Sequence, residues 1–233
     1  MKEKTFVEHL EELRRRLITF LIVLGALTVV AFNFSEKFLA YVLKVVGETI
    51  FLSPAEGFLV HIKISVLVAF LTSLPLFFYE TWAFIAGALK IKERKFIKFF
   101  CVASFLLFAC GAVFAYFVIL PIAINFLLSY QSPVMQAKLS VNQYFGFLCT
   151  LLISFGFIFE LPLLIVFLTR LNIIGPGFLM QNRKFAFLLI FIVAAILTPP
   201  DVITQVLMAL PLLLLYELGI ILSRAVTRKR VFR

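Results

Sequence analysis

One acidic residue, Glu160, lies inside an otherwise uncharged apolar run from Phe145 to Leu168. A run of this length can cross a bilayer, which takes about 20 residues of helix. Arg170 is the nearest charged residue after it, so in a helix the acid would lie about 15 Å from that charge, near the middle of the membrane. An ionised acid there is costly unless it is protonated, paired or facing a wet cavity. The pattern therefore predicts a functional polar site inside a membrane protein.

The apolar content of the chain leaves no room for a separate soluble domain. Hydrophobic residues make up 63% of its 233 residues, whereas ordinary globular chains have about half. We therefore predict a single transmembrane domain over residues 1–233, of the all-α polytopic class. Six apolar runs give its expected transmembrane helices, at about 17–34, 58–79, 96–121, 144–169, 185–198 and 202–222.

The positive charges are sorted by loop. Six crossings put both termini on one side, and 18 of the 22 Lys and Arg residues lie in the termini and loops of that side. The opposite loops hold only Lys37, Lys44 and Lys138. The positive-inside rule then predicts a multi-pass protein of the cytoplasmic (inner) membrane with both termini in the cytoplasm. Because the net charge of +10 is explained by this topology, it does not indicate a nucleic-acid partner.

The fifth and sixth runs predict a short hairpin. The fifth run has only fourteen residues between Lys184 and Pro199, or about 21 Å of helix, against a hydrocarbon core of about 30 Å. The turn that starts at Pro199 leads directly into the sixth run. Four prolines lie within the predicted spans, and these are Pro75, Pro121, Pro162 and Pro211. Each removes a backbone hydrogen bond, which predicts kinked helices and a concave bundle.

The N-terminal segment carries a dense set of charges. Thr5 and Glu8 fit a capping box, which predicts a helix that begins before the first span. Its polar face includes Glu12 and Arg16, four residues apart. Spacing alone favours ordinary i,i+4 ion pairs on a hydrated face.

The loop between the second and third spans, residues 80–95, is unusually apolar for a loop on the charged side. Two interpretations stay open from its pattern. Trp82 and Phe84 could anchor the loop at the membrane interface, or the loop could form an apolar docking surface with an embedded acid for an extended peptide.

Polar residues also cluster at the tip of the short hairpin, and these are Thr198, Asp201 and Gln205. Turns and helix caps commonly use such residues. Gln205 is harder to explain in this way, because its amide falls within a span and requires a hydrogen-bonding partner there.

Signatures of catalysis are missing from the sequence. Asp201 is the single aspartate, which excludes a two-aspartate intramembrane protease, and His9 and His61 are too far apart for a His-x-x-x-His zinc pair. We predict no enzyme activity, no metal site and no cofactor. Two other classes stay open. A proton-coupled transporter of small solutes would use Glu160 as its carrier site, but it would need further ionisable groups along a pathway, and the spans supply almost none. A purely structural scaffold would leave Glu160 unexplained.

Five motifs, in order along the chain, resemble those of the TatC family, the large subunit of the twin-arginine protein translocase. They are His9–Leu17, Trp82–Leu89 with Glu93 and Arg94, Phe114–Pro121, Phe159–Pro162, and Leu197–Val202 with Gln205. Together they extend over nearly the whole chain. The resemblance implies a six-helix, glove-like concave bundle. It also implies a receptor for Arg-Arg signal peptides that moves folded proteins with the single-span subunits TatA and TatB, driven by proton-motive force.

The resemblance also implies roles for particular residues. Glu12 and Glu93 would bind the two arginines, on a surface shaped by Arg14, Phe84 and Leu89. A carboxylate can accept the planar guanidinium fork bidentately, which suits this role. Glu160 would be the intramembrane acid, and Thr198, Asp201 and Gln205 would contact a partner helix. We also expect contact with membrane lipid and self-association.

Overall fold

The computed structural model describes residues 6–43, 53–88, 97–129, 140–197 and 202–231. These ranges are helical almost throughout, which confirms the all-α class. They contain ten α-helices and one π-helical turn, between α4 and α5. The bounds are α1 Phe6–Phe32, α2 Ser35–Leu43, α3 Pro54–Ala88, α4 Ile97–Phe114, the π-helical turn Ala115–Ile119, α5 Leu120–Leu128, α6 Val141–Phe159, α7 Leu161–Arg170, α8 Pro176–Gln181, α9 Arg183–Leu197 and α10 Val202–Val231.

Five helical segments of the described chain are long and apolar enough to cross a membrane, namely Val7–Phe32, Ala55–Gly87, Ile97–Phe126, Val141–Arg170 and Val202–Arg228. They correspond to five of the six predicted spans. The segment predicted at 185–198 is the 15-residue helix α9, about 22 Å long. It is as short as the sequence predicts, and its crossing of the membrane stays a prediction.

The helices form two compact units. The first unit comprises the described parts of Met1–Phe105 and Gln136–Cys149. In it, α1 and α2 both pack against α3. Helix α3 is apolar nearly all round its surface, as expected for a helix with neighbours on several sides. The rings of Phe20 on α1 and Phe77 on α3 lie 5.2 Å apart in this contact.

The second unit comprises the described parts of Leu106–Met135 and Thr150–Arg233. Here α10 packs against α7, α8 and α9. The ends of α4 and α6 meet in the same unit at two glycines. A Cβ atom at Gly111 would lie 2.4 Å from the carbonyl oxygen of Phe155, and one at Gly156 would lie 2.4 Å from the ring of Phe108. Small residues of this kind let helix backbones approach closely in membranes.

The four prolines act in three ways. Helices α3 and α10 continue through Pro75 and Pro211. Pro121 comes two residues after the end of the π-helical turn, in which the Leu120 N–H bonds to the Ala115 carbonyl. The wider turn accommodates a proline ring that would otherwise clash with the preceding turn of helix. Pro162 follows a one-residue interruption at Glu160, between α6 and α7, where the backbone keeps right-handed helical dihedral angles.

Two predicted loop boundaries are wrong. Residues 80–88, predicted as the start of a loop, form the last turns of α3. Alanine-rich sequence favours helix there, and the indole of Trp82 is buried against Phe100, with ring centroids 4.9 Å apart. The third span, predicted to end at about residue 121, likewise continues further as helix, because α5 ends at Leu128.

Candidate functional site

A network of charged side chains joins the start of α1 to the end of α3. Arg16 donates from Nη2 to Glu12 Oε1 at 2.7 Å and from Nη1 to Glu80 Oε2 at 2.5 Å. Its Nε also donates to Glu12 Oε1, at 3.2 Å. The Arg16 side chain is 25% exposed and each acid is 18% exposed. One guanidinium therefore bridges two carboxylates in a partly buried place, where charged hydrogen bonds are stronger than at a fully exposed surface.

Next to this network, α1 and α3 meet through an aromatic contact. The rings of His9 and Phe84 are stacked, with centroids 4.3 Å apart and planes 18° from parallel. Gly87, one turn further along α3, faces the same place. A Cβ atom there would lie 3.5 Å from Glu12 Oε2 and 3.7 Å from His9 Cε1. The second oxygen of Glu12 therefore points toward the end of α3.

An open pocket of about 970 Å³ adjoins the network. Most of its lining is charged, and the residues are Glu8, Glu11, Glu12, Arg14, Arg15, Arg16, Ile18, Thr19 and Glu80. Among the described residues of its lining, four acids face three arginines. Such a lining is suited to a ligand that carries guanidinium or amine groups, since its acids outnumber its arginines.

The structure brings together some of the predicted site residues. Glu12 and Phe84 lie in the same α1–α3 contact, and Arg14 is exposed and lines the pocket. The ion pair that spacing favoured between Glu12 and Arg16 forms. Leu89 and Glu93 lie outside the described residues.

Sequence reasoning missed Glu80 and His9. Glu80 lies four residues before Phe84 on α3, so the two occupy one face of the helix. The four-residue spacing would place Glu80 beside Phe84 only if this segment is helical. Because the sequence predicts a loop over residues 80–88, the spacing could not be interpreted. The partner of Glu80, Arg16, is 64 residues away in the chain, so spacing could not have supplied it.

Glu160 lies at the junction of α6 and α7 in the second unit. Its backbone N–H bonds to the Phe157 carbonyl at 3.1 Å, a tight three-residue turn, and its own carbonyl accepts from the Leu164 N–H at 2.9 Å. The side chain is half-buried, and its Oε1 atom is buried. The predicted intramembrane acid thus lies where a helix breaks, two residues before Pro162.

The side-chain amide of Gln205 has a hydrogen-bonding partner within the short hairpin itself. Gln205 Nε2 donates to the Phe191 carbonyl at 3.0 Å, which joins α10 to α9. The amide therefore has the helical partner that its position in a span requires, although it comes from this chain. Thr198 and Asp201 lie outside the described residues.

Polar bonds also join helices at the end of α3 that starts at Pro54. Lys63 Nζ donates to Asn142 Oδ1 at 2.5 Å, and the His61 ring shares a 2.8 Å hydrogen bond with Ser35. These bonds hold α2 and the start of α6 against α3.

With this geometry in hand, the chain can be compared with known proteins. The profile of the family described as Sec-independent protein translocase protein (TatC) matches residues 8–211. The chain belongs to the TatC family. The TatC protein of Carboxydothermus hydrogenoformans is 39% identical over 98% of this chain and 96% of its own length. That of Aquifex aeolicus is 40% identical over 96% of each chain, and TatCd of Bacillus subtilis is 37% identical over 99% of this chain and 96% of its own length.

Solved structures agree with the family. The crystal structure of the twin arginine translocase receptor TatC in DDM matches with a TM-score of 0.83 and 40% identity, over 93% of this chain and 99% of that one. A second crystal structure of the receptor also has a TM-score of 0.83, with 39% identity. The chain is therefore a membrane-embedded component of a Sec-independent protein translocase, which is a transport function and not a catalytic one.

Proposed function

We propose that this chain is the receptor subunit of a twin-arginine translocase, and that it binds the Arg-Arg pair of signal peptides at the α1–α3 site. Glu12 and Glu93 would each hold one arginine, beside Arg14, Phe84 and Leu89. The charged ends of the chain would face the cytoplasm, as the sorting of lysines and arginines predicts. Six helices would then cross the inner membrane, with α9 as the short fifth.

The observation that carries the proposal is the guanidinium already held by Glu12. Arg16 approaches Glu12 with two nitrogens, at 2.7 and 3.2 Å. Both nitrogens bond to one oxygen, Oε1, so the partly buried Glu12 carboxylate is positioned to accept a guanidinium, which is the group that the peptide would present. The excess of acids in the adjoining pocket favours a cationic peptide for the same reason.

The rest of the chain would serve transport of the folded cargo. We propose that the outer tip of the hairpin, with Thr198, Asp201 and Gln205, contacts the membrane helix of TatA or TatB, and that Glu160 offers a polar partner inside the membrane. Proton-motive force would drive the movement. The bond between Gln205 and the Phe191 carbonyl fixes the hairpin into which such a helix would dock.

Binding of a signal peptide to the full chain in lipid nanodiscs tests the first step. Glu12→Gln keeps the size of the side chain and removes its charge, so it should weaken binding of a fluorescent Arg-Arg signal peptide by about 1–3 kcal/mol. Glu93→Gln should act similarly. Fluorescence anisotropy gives the affinity of each variant.

Glu36→Gln provides the control, because Glu36 is an exposed acid at the start of α2, next to the opposite end of the first span. It removes the same charge and should leave the affinity unchanged. If Gln at both position 12 and position 93 leaves the affinity at its original value, the proposed receptor site is wrong.

A further inference from the structure

Helix α8 and the adjoining parts of α9 and α10 form a surface that is both cationic and aromatic. Arg183 and Lys184 begin α9, and Arg224 lies in the last third of α10. Phe178 on α8 and Phe185 on α9 are each more than half exposed. All five residues belong to the second unit, and we call them the basic face.

Two side-chain contacts with α10 hold the basic face together. Arg183 Nη2 bonds to Glu217 Oε2 at 2.7 Å, and Arg224 Nη2 donates to the sulphur of Met180 on α8. Glu217 and Arg224 are seven residues apart, or about two turns of helix, so they lie on the same side of α10. The start of α9 and helix α8 are thereby held against one side of α10.

The basic face has more positive charge than its acid offsets. Arg183 is paired with Glu217, whereas the sulphur that Arg224 contacts is an uncharged, weak acceptor. Lys184 is exposed, and its ammonium lies 5.2 Å from the centre of the Phe185 ring, which is uncharged as well. Lys184 and Arg224 therefore give the basic face a net positive charge.

The basic face lies where exposed apolar surface ends on two helices. On α9, the exposed side chains of Leu188 and Leu189 follow Lys184 by about one turn. On α10, the exposed side chains of Ile221 and Leu222 come just before Arg224. In a membrane-embedded chain such apolar side chains contact acyl chains, so the cations beside them lie at the level of the lipid headgroups.

We propose that the basic face binds the headgroup of an anionic phospholipid. Lys184 and Arg224 bond to its phosphate oxygens, and Phe178 and Phe185 pack against the adjoining part of its acyl chains. Charged hydrogen bonds from such cations to phosphate are strong, and basic pockets between membrane helices bind anionic headgroups in this way. The site is independent of the proposed receptor function, because none of its residues belongs to the α1–α3 site.

The charge of the basic face selects an anionic lipid over a zwitterionic one. Phosphatidylcholine also has a phosphate, but its own ammonium group offsets that charge, so it gains little from two uncompensated cations. Phosphatidylglycerol keeps its full negative charge. The exposed rings favour a lipid over a free phosphate ion, because apolar side chains at the interface add affinity for a ligand that has an acyl chain.

A tryptophan introduced into the basic face can report which lipid lies beside it. Phe178→Trp keeps an aromatic ring at this position, and brominated lipids quench the fluorescence of a tryptophan that they contact. The full chain is reconstituted with mixtures that contain brominated phosphatidylglycerol or brominated phosphatidylcholine. The signal of the parent chain, which comes from Trp82 alone, is subtracted. Quenching at each lipid fraction gives the ratio of the two affinities, which should favour phosphatidylglycerol.

Three substitutions in this reporter background change the charge of the basic face in both directions. Lys184→Gln and Arg224→Gln each remove one cation and should lower the preference for phosphatidylglycerol about fivefold. Glu217→Gln removes the acid that offsets Arg183 and should raise the preference instead. A general loss of structure cannot shift the preference in opposite directions.

Lys37→Gln is the matched control. Like Lys184, Lys37 is exposed and its ammonium lies over a neighbouring phenylalanine ring, 5.8 Å from the ring centre. It belongs to the first unit and directly follows the exposed acid Glu36. The same loss of charge there should leave the preference at the basic face unchanged.

Opposite shifts from the substitutions at the basic face, with none from Lys37→Gln, support the lipid site. Equal quenching by the two lipids in the reporter chain, or a preference that none of the three substitutions changes, would overturn it. A fall with Lys37→Gln as large as that with Lys184→Gln would show that the net charge of the chain attracts the lipid, without a site. Inorganic phosphate at constant ionic strength should leave the ratio as it was. If it abolishes the preference, the basic face binds a free anion and the lipid site is wrong.

Discussion

Polar bonds join helices in both units, whereas glycines packed closely against a neighbouring helix are described in the second unit. Across helices of the first unit Arg16 bonds to Glu80, Trp82 to Ser104, and Lys63 to Asn142. The second unit has comparable bonds, such as Thr169 with Ser223, and adds the glycine contacts. The described glycines at which a Cβ atom would come within 3.0 Å of a neighbour are Gly111, Gly156 and Gly219, and all belong to the second unit.

The difference shows two ways to hold helices together where lipid gives no hydrophobic driving force between them. Interhelical hydrogen bonds in membranes average about 0.6 kcal/mol and reach about 1.7. Polar contacts of this strength can be exchanged, as the proposed peptide site would require. Close backbone packing tolerates no insertion of atoms, which suits a unit that keeps its shape.

Gly111→Ala should be the most destabilising of these changes. The new methyl group would lie 2.4 Å from the Phe155 carbonyl oxygen, which is backbone and cannot rotate away. The helices must separate, and the free energy of unfolding should fall by about 2–3 kcal/mol, the upper range for overpacking. Denaturant titration in mixed micelles measures it.

Two other glycines give a scale for this result. Gly219→Ala should cost less, because its methyl would meet only the flexible end of Ile165, and Gly25→Ala should be neutral or slightly stabilising, because no atom lies within 4 Å. Equal effects at all three glycines would show that helix propensity, and not packing, sets the response.

Glu80→Gln should be the largest of the polar changes in the first unit. It removes the acid that Arg16 bonds at 2.5 Å and leaves the cation with Glu12 alone. Loss of one charged hydrogen bond at a partly exposed site should lower the free energy of unfolding by about 1–2 kcal/mol. The same titration measures it. An effect larger than that of Gly111→Ala would contradict the contrast between the two units.

Ser104→Ala should have a moderate effect. Trp82 Nε1 donates to Ser104 Oγ at 2.9 Å, and both residues are buried. The indole N–H would lose this acceptor in an apolar surrounding, which should cost about 1 kcal/mol. Tryptophan fluorescence reports the change directly, because Trp82 is the single tryptophan of the chain. Ser104→Thr keeps the hydroxyl and should restore part of the loss, whereas equal losses for Ala and Thr would show that packing dominates.

Arg183→Gln should have the smallest effect. Arg183 Nη2 bonds to Glu217 Oε2 at 2.7 Å, the same distance as between Arg16 and Glu12, but these side chains are 43% and 36% exposed. Hydration and salt screening weaken such a pair to about 0.5 kcal/mol or less. The loss in the free energy of unfolding caused by Arg183→Gln should therefore be close to experimental error at both low and high salt. A loss as large as that of Glu80→Gln would show that burial does not separate the two ion pairs.

Much of the fold could be predicted from local features of the sequence. Five spans follow from the length and apolarity of their runs, and the break at Glu160 follows from Pro162, whose ring and missing N–H act on the turn just before it. The helical ends were harder to predict. The end of the second apolar run predicts a loop from residue 80. Residues 80–88 nevertheless stay helical, and Phe84 packs on α1 while Trp82 packs on α4.

The candidate site was only half predictable. Glu12 and Arg16 could be paired from their four-residue spacing, because both ends of that contact lie on one helix. The stacked rings of His9 and Phe84 join two different helices, so no residue spacing within either helix predicts the contact. Gln205 was expected to need a partner, but its identity, the Phe191 carbonyl, depended on how the hairpin closes.

The course of the helices, their interruptions and the distribution of charge along the chain follow from the chemistry of neighbouring residues, so the amino-acid sequence is enough to derive them. The pairing of Glu80 with Arg16, 64 residues away, depends instead on tertiary packing, which lets Glu80 and Glu12 share the guanidinium of Arg16. Tertiary packing likewise separated Gly111, packed against backbone, from Gly25, which has open space around it. The strength of an ion pair and the tolerance of a glycine depend on which atoms surround them, and folding alone brings those atoms together.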